Sequence, residues 1–476
     1  GTGFNQLNGR INLSQKALND KLTFDINLST TLRNEKYVPS EAMQYATIFN
    51  PTAPVEADDE FSTEWGGYFQ RPAFYFYNPV AIIEQSDLDG KKYNIQGGFK
   101  GTYEIIKGLK ASAFYSLTSN NDLYGTYYSK NALWTAYGTG SHEGFARRET
   151  SDYFNHLMEL TGSYEKTINK VSFSLLGGYS WQQATTQGFW AFGKGFLSDD
   201  FSYNDLGSAS GELANSAQMD SWKRQTTLIG FYGRATANYD NGVFLTLNFR
   251  RDGSSMFGEN KKWGNFPGVS AGVDIAKYVS IPYVDRLKVR GGYGVTGNLP
   301  PDPYLSKLLY NATNDYFFYN GDYIQAFGPT RQDNPNLQWE TKRDLGFGLD
   351  YALLGYRIKG SIDYYQSNSE DLLMYYKIPV PPNLAEYMWV NLGELKNSGV
   401  EFNIQYQTLA TRDFTWTTEL NFAKYFETTL VKITDTLIGP AADIKLGQLG
   451  DPGLIGVYSI SGQQGDPVGQ IVAPIY

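Results

Sequence analysis

Apolar and polar residues alternate along most of this chain. The stretch IGFYGRATANYDNGVFLTLNFRRDG, Ile229–Gly253, shows it best. One parity holds Ile229, Phe231, Ala235, Ala237 and Tyr239, then Val243, Leu245, Leu247 and Phe249. The other holds Tyr232, Arg234, Thr236, Asn238 and Asp240, then Phe244, Thr246, Asn248 and Arg250. A period of two belongs to a β-strand, whose successive side chains point to opposite faces. Directly paired residues share a face, so the turn between these strands must hold an odd number of residues. Three residues, Asp240–Gly242, set Tyr239 opposite Val243, and Gly242 is expected in the left-handed position of a bulged hairpin.

The same pattern recurs. Tyr93, Ile95, Phe99 and Tyr103 precede Leu109, Ala111, Ala113, Tyr115 and Leu117. Met158, Leu160 and Tyr164 lead through residues 167–170 to Val171, Phe173, Leu175, Tyr179 and Trp181. Leu345, Phe347, Leu349 and Tyr351 lead through residues 352–355 to Tyr356, Ile358, Ile362 and Tyr364. Val400, Phe402, Ile404 and Tyr406 precede Phe414, Trp416, Leu420 and Phe422, with a turn at 409–413. Ile11 and Leu13 pair with Leu22, Phe24, Ile26 and Leu28; Val269–Ile275 precedes Leu287–Val295. Roughly seven hairpins, about fourteen strands, result.

A soluble sandwich also alternates, with its apolar face inward. Three features favour lipid. Tight connections, such as 18–21, 104–108, 167–170, 240–242, 352–355 and 409–413, alternate with long ones, roughly 30–92, 119–155, 182–225, 298–341 and 366–397. Short turns on one rim and long loops on the other are the outer-membrane barrel pattern. Tyr103, Tyr164, Tyr239, Tyr351, Tyr356 and Trp416 lie on the apolar parity beside short turns, as an interfacial girdle requires. The apolar parity is nearly free of charge, while Glu159, Arg234, Asn238, Asn248, Arg290, Lys359, Asp363 and Glu401 fall on the other, expected to line a hydrated lumen. The expected fold is therefore all-β: a transmembrane antiparallel β-barrel with short periplasmic turns and long extracellular loops.

Composition narrows the rest. No run of about 18 apolar residues could form a spanning helix. The 476 residues include no Cys, which excludes disulfides and thiolate metal sites. A net charge of −9 argues against nucleic acid. The only histidines, His142 and His156, have no evident Ser or Asp partner, and the motifs G-x-S-x-G and H-E-x-x-H are absent, so no catalytic residue is expected. The acidic stretches EADDEFSTEW (56–65) and DLDG (87–90) carry carboxylates of the kind that bind Ca²⁺, but their spacing fits no full EF-hand, and solvated loops are the plainer reading. Glycines in GGYGVTGN open no helix and so form no phosphate loop; they relieve crowding in a curved wall.

Several segments resemble signatures of the SusC/RagA-like TonB-dependent outer-membrane transporters. These are FRRDGSSMFGENKKWGNFPGVSAG (249–272), LKVRGGYGVTGN (287–298), NPNLQWETKRDLGFGLDY (334–351), KNSGVEF (396–402), GDPVGQ (465–470) and FNPTAPV (49–55). The resemblance implies a 22-stranded barrel with a plug in its lumen. It implies multi-pass residence in the outer membrane, TonB-driven uptake of glycan or peptide fragments, a SusD-like surface lipoprotein as partner, and room for a dimer of transporter–lipoprotein pairs. Residues 1–476 then read as an incomplete barrel, with the plug and the N-terminal TonB-contact region outside the chain. Two alternatives are a structural or adhesive outer-membrane barrel without active transport and a soluble carbohydrate-binding β-protein. The long loops are aromatic: Trp65, Tyr68, Tyr75, Tyr77, Trp134, Tyr137, Trp190, Tyr316, Phe317, Tyr319 and Trp389 are candidates for substrate or partner contact, or for packing the loops on one another.

Overall fold

The computed structural model describes residues 2–70, 77–135, 142–210, 218–426, 428–432, 434–435, 439–440, 444–448 and 457–471. Its strands are β1 (Gly3–Ala17), β2 (Leu22–Tyr37), β3 (Ser86–Ile106), β4 (Leu109–Tyr128), β5 (Phe145–Ile168), β6 (Val171–Lys194) and β7 (Gln218–Tyr239). There follow β8 (Val243–Ser254), β9 (Trp263–Asp274), β10 (Val284–Asn298), β11 (Leu309–Tyr319), β12 (Asp322–Arg331), β13 (Glu340–Leu353) and β14 (Ile358–Glu370). The series continues with β15 (Leu373–Lys377), β16 (Tyr387–Asn391), β17 (Glu394–Ala410), β18 (Thr415–Tyr425) and β19 (Thr429–Lys432). Helices α1 (Glu41–Ile48), α2 (Glu60–Glu64) and α3 (Pro79–Glu84) occupy the first long loop.

One 15-stranded sheet runs in chain order from β1 to β10 and on through β13, β14, β17 and β18, with β19 added against β17. The β11–β12 and β15–β16 hairpins are separate two-stranded sheets inside long loops. The chain divides into two compact units. The first comprises residues 1–102, 113–158 and 182–225. The second comprises 103–112, 159–181 and 226–476.

In the second unit the register is the one that alternation requires. Tyr239 pairs with Val243, Ala237 with Leu245 and Ala235 with Leu247. The row containing Val243 continues through Val273, Val289, Leu349, Ile362, Phe402 and Phe422, so one apolar face extends across seven strands. No protein layer covers that face among the described residues: Phe231 is 50% exposed, Leu247 47%, Phe347 55% and Phe422 58%. A soluble sheet would have buried this surface.

The tight turns depart from expectation in detail. The 352–355 turn lies instead at 354–357, between Leu353 and its partner Ile358. A slip of two residues keeps every side chain on its own face, so alternation cannot distinguish the two registers. Gly242 is not left-handed. Asp240 and Asn241 take φ of 51° each, while the Gly242 N–H donates to the Tyr239 carbonyl at 3.0 Å. Gly242 is instead the floor beneath the Tyr278 ring, where a Cβ would stand 2.5 Å from the phenol oxygen.

Successive tips on this rim are joined by backbone hydrogen bonds. Glu165 N–H donates to Gly108 O at 2.9 Å, Asp240 to Lys170 O at 2.7 Å and Asp274 to Gly242 O at 2.8 Å. Leu354 donates to Tyr283 O at 2.9 Å and Gln407 to Arg357 O at 2.8 Å. Lys170 Nζ reinforces one joint by pairing with Asp240 at 3.1 Å, and that bond raises the Lys170 pKa.

The first unit corrects the loop boundaries. Strand structure continues to Tyr37, Tyr128 and Lys194 and resumes at Ser86, Phe145 and Gln218, so β3–β7 are 20–24 residues long. A barrel strand crosses the bilayer in about 9–11 residues. The remainder projects into the extracellular loops, where neither face meets lipid and alternation in polarity disappears.

Candidate functional site

The polar face of the second unit is built from the complementary parity. Along one row Phe244, Gly272, Arg290, Gly348, Asp363 and Glu401 are successive neighbours. Gly272 lacks a side chain, and a cavity of about 590 Å³ opens beside it, lined by Lys288, Arg290, Asp363, Tyr365 and Glu401 among others, while the space over Gly348 is taken by the Arg290 and Asp363 side chains. Arg290 bridges two carboxylates, with Nε 3.1 Å from Asp350 and Nη2 2.6 Å from Asp363. Asp363 and Glu401 are a direct cross-strand pair of like charge, which Arg290 offsets. Lys288 lies over the Phe244 ring at 4.6 Å.

The other residues expected to line the lumen fall on this face or at its rim. Arg234 Nε donates to Asn248 Oδ1 at 2.8 Å. Asn238 turns its amide to Asn241 in the hairpin tip, 2.8 Å away. Lys359 and Glu401 are exposed, and Glu159 is half-buried.

Of the girdle candidates, Tyr103, Tyr239 and Trp416 are exposed on the apolar face, and Tyr164 packs on Phe173 with ring centroids 5.8 Å apart. Tyr351 lies across Gly360 and donates to the Asn403 carbonyl at 3.2 Å. Tyr356 belongs to the turn rather than a strand: its φ is 62° and its N–H donates to Asp285 at 3.0 Å. That placement follows from the two-residue shift of the turn.

The loop aromatics divide by environment. Trp65, 4% exposed, stacks on His142 with centroids 4.1 Å apart, and Tyr77 meets the edge of Tyr45 at 5.1 Å. Both pack with Ile82 and Leu133, so these two hold the first loop together instead of meeting a ligand. His142 also reaches Glu64 at 3.3 Å, while His156 pairs with the Tyr115 hydroxyl at 2.8 Å. Tyr68 is half-buried at the edge of a 390 Å³ cavity with Glu84 and Asp87; burial first, then the Glu84 and Glu56 carboxylates, push its pKa up. Trp134 and Trp190 are half-buried. Tyr316, Phe317 and Tyr319 are exposed on β11. Trp389 is half-buried, tilts against Tyr375 at 5.6 Å and packs against the cluster of Phe257, Leu305, Leu337 and Trp339, while Met374, Met388 and Val390 of the same hairpin face another core. Tyr75 and Tyr137 lie outside the described residues.

The acidic loop stretches have internal partners. Asp59 caps α2, accepting from Ser62 N–H at 3.1 Å, and Asp87 accepts from the Ser202 hydroxyl at 2.8 Å. Tyr203 donates to Asp89. Burial first, then that bond and the carboxylate's charge, push the Tyr203 pKa well up. Among the described residues no group of three or more His, Cys, Asp or Glu is placed to hold a metal.

A polar knot in the second unit was not legible in advance. Leu337, fully buried, packs with Phe257, Leu305 and Trp339. Around it Asn391 Nδ2 donates to Gln338 O at 2.8 Å and to Asp371 O at 2.9 Å, and Gln338 N–H returns to Asn391 Oδ1 at 2.9 Å. Asn334 Nδ2 donates to Trp389 O at 2.9 Å, and Trp339 Nε1 to Lys262 O at 2.9 Å. The only signal was amides set within aromatic sequence, NPNLQW and MWVN. The signature segments 249–272 and 334–351 thus meet here, as the frame of the extracellular loops.

An antiparallel sheet with one uncovered apolar face, a charged reverse, tight turns on one rim and packed loops on the other defines an outer-membrane β-barrel. The chain belongs to the TonB-dependent receptor-like β-barrel family, whose model matches residues 14–452. It is 32% identical over 366 residues to TonB-dependent receptor P3 of Formosa agariphila, covering 75% of this chain and 35% of that one. It is 28% identical over 445 residues to TonB-dependent receptor SusC of Bacteroides thetaiotaomicron, covering 88% of this chain and 43% of that one. The solved RagAB peptide transporter shares the fold, with a TM-score of 0.77 over 98% of this chain and 50% of that one, at 19% identity. The chain thus spans half or less of the length of these proteins.

Proposed function

We propose that the chain is the barrel portion of a TonB-dependent importer that carries glycan or peptide fragments across the outer membrane. A SusD-like surface lipoprotein is its partner in this reading, which extends to a dimer of such pairs. The names of the SusC and RagAB relatives support it. The observation that carries it is the pairing of a lipid-facing apolar sheet with a reverse face lined by Arg290, Asp363, Lys288 and Glu401, a wall suited to a watered passage. The reading assigns no catalysis: His142 and His156 hold structural contacts. A purely structural or adhesive barrel would need no energy source.

The test uses cells expressing the whole gene. Fluorescently labelled neutral hexasaccharides and a labelled tryptic peptide pool are supplied with and without a protonophore. Uptake of either class that requires the gene and stops with the protonophore supports import. Uptake indifferent to the protonophore, or absent for both classes, refutes it.

A further inference from the structure

The extracellular reach of β4, β5 and β6, with Trp134 of the loop after β4, carries a continuous run of rings on one side. Trp134 meets Tyr128 with centroids 5.9 Å apart, Tyr128 meets Phe145 at 5.6 Å, and Phe145 meets Phe192 at 5.3 Å. Phe192 and Trp190 lie 5.7 Å apart and nearly parallel, at 6°. The run ends where the Arg147 guanidinium sits 4.5 Å from the Trp190 ring centre. Arg147 in turn binds Glu149 through Nε at 3.1 Å and Nη2 at 2.7 Å.

Which face this is can be read within the first unit. Phe145 with Phe192, Arg147 with Trp190 and Asn155 with Gln182 keep one register, so no bulge turns the rings away from the polar Asn155–Gln182 side. The opposite side carries Tyr115 and His156 and, farther out, Tyr127 and Ala146, which Phe196, Tyr203 and Ala209 cover. Phe145, Phe192 and Trp190 therefore lie on the Asn155–Gln182 side, Trp134 packs against the first-loop core, and Tyr127 and Ala146 on the reverse are covered.

We propose that this ladder is a stacking track for uncharged oligosaccharides at the outer mouth of the passage; the assignment rests on the transport reading above. Ring faces are electron-rich and attract the polarised C–H groups on the flat side of a sugar. The Arg147–Glu149 pair compensates its own charge and offers fixed donors and acceptors to hydroxyl groups, which suits a neutral ligand. One mode of extended-peptide capture adds a strand to a free sheet edge. The strands here are interior members of the sheet, with neighbours on both sides, and present no such edge.

The test measures binding by calorimetry to the full-length receptor in detergent. The probes are neutral hexasaccharides of the malto, cello, laminari, manno and xylo series, with the peptide (Ala-Gly)₃ as comparison. At least one sugar binds and the peptide does not. Trp190→Leu and Phe192→Leu weaken that sugar about tenfold or more, a loss of about 1.4 kcal/mol. Heat-modifiable migration in gels verifies that each variant is folded, and either variant alone suffices. Equal binding of the peptide, binding of no sugar, or unchanged affinity in a folded variant overturns the assignment. The outcomes separate the two readings: normal sugar binding by the variants with protonophore-sensitive uptake intact sinks the track alone, whereas ladder-dependent binding without energised uptake sinks the importer alone.

Discussion

Placing a charge on either side of one strand tests the membrane assignment directly. Leu247 and Asn248 are consecutive in β8 and both are exposed. Leu247 is 47% exposed, between Ala235 and Val269. It lies four residues from Val243 at the short-turn rim, about 13 Å along the strand at about 3.3 Å per residue. A tilt of about 40° makes that about 10 Å along the bilayer normal, near the middle of an apolar band about 25 Å tall. Leu247→Arg therefore costs about 2–4 kcal/mol in lipid. Asn248→Arg faces water; it gives up the Arg234 hydrogen bond and sets two like charges opposite one another, a cost of about 1 kcal/mol that stays below the lipid term. Were the sheet bathed in water on both sides, both substitutions would fall in the smaller range. The assay is equilibrium unfolding in guanidinium from phosphatidylcholine vesicles, followed by gel migration of the folded form. Equal small effects, or a larger loss for Asn248→Arg, would refute the lipid-facing assignment.

Three further outcomes follow from the loops. Asn391→Ala strands Gln338 N–H and O and Asp371 O, at about 1–3 kcal/mol for a buried group left unpaired; hydrogen exchange should accelerate in β15 and β16 while the barrel strands stay protected. Gly258→Ala drives a Cβ into the Pro335 carbonyl oxygen, and limited proteolysis should then cut within 255–262 in a barrel that still migrates as folded. Tyr203 has a raised pKa in the folded loop, so its contribution is complete below the unfolded value of about 10 and is lost as pH rises through the folded one. Exchange in residues 195–210 should therefore quicken above about pH 10 in the native protein and lose that alkaline step in Tyr203→Phe, a result checked by a pH series.

The hairpins within the bilayer were legible because lipid on one side and water on the other impose a strict period of two. The pairing of Tyr239 with Val243 followed from parity alone. The same argument was blind to a slip of two residues, which moved Tyr356 from strand to turn. It also stopped at Leu117, although β4 continues to Tyr128, because the outer reach has packed loops on one face and aromatic rings on the other. The β11–β12 hairpin escaped for a related reason: Tyr316, Phe317, Phe318 and Tyr319 are large and exposed on both faces, which erases the alternation. The Asn391–Gln338–Asp371 knot joins residues far apart in sequence, and nothing local encodes it.

The seam of backbone bonds between neighbouring hairpin tips has a mechanical implication. Pulling an interior tip, such as that of the 167–170, 240–242 or 354–357 turn, away from the periplasmic edge breaks bonds to the hairpin before it and the hairpin after it. Tension applied at Asp240 is thus passed to Lys170 on one side and, through Gly242, to Asp274 on the other. Such an edge shares a load among its members and yields late.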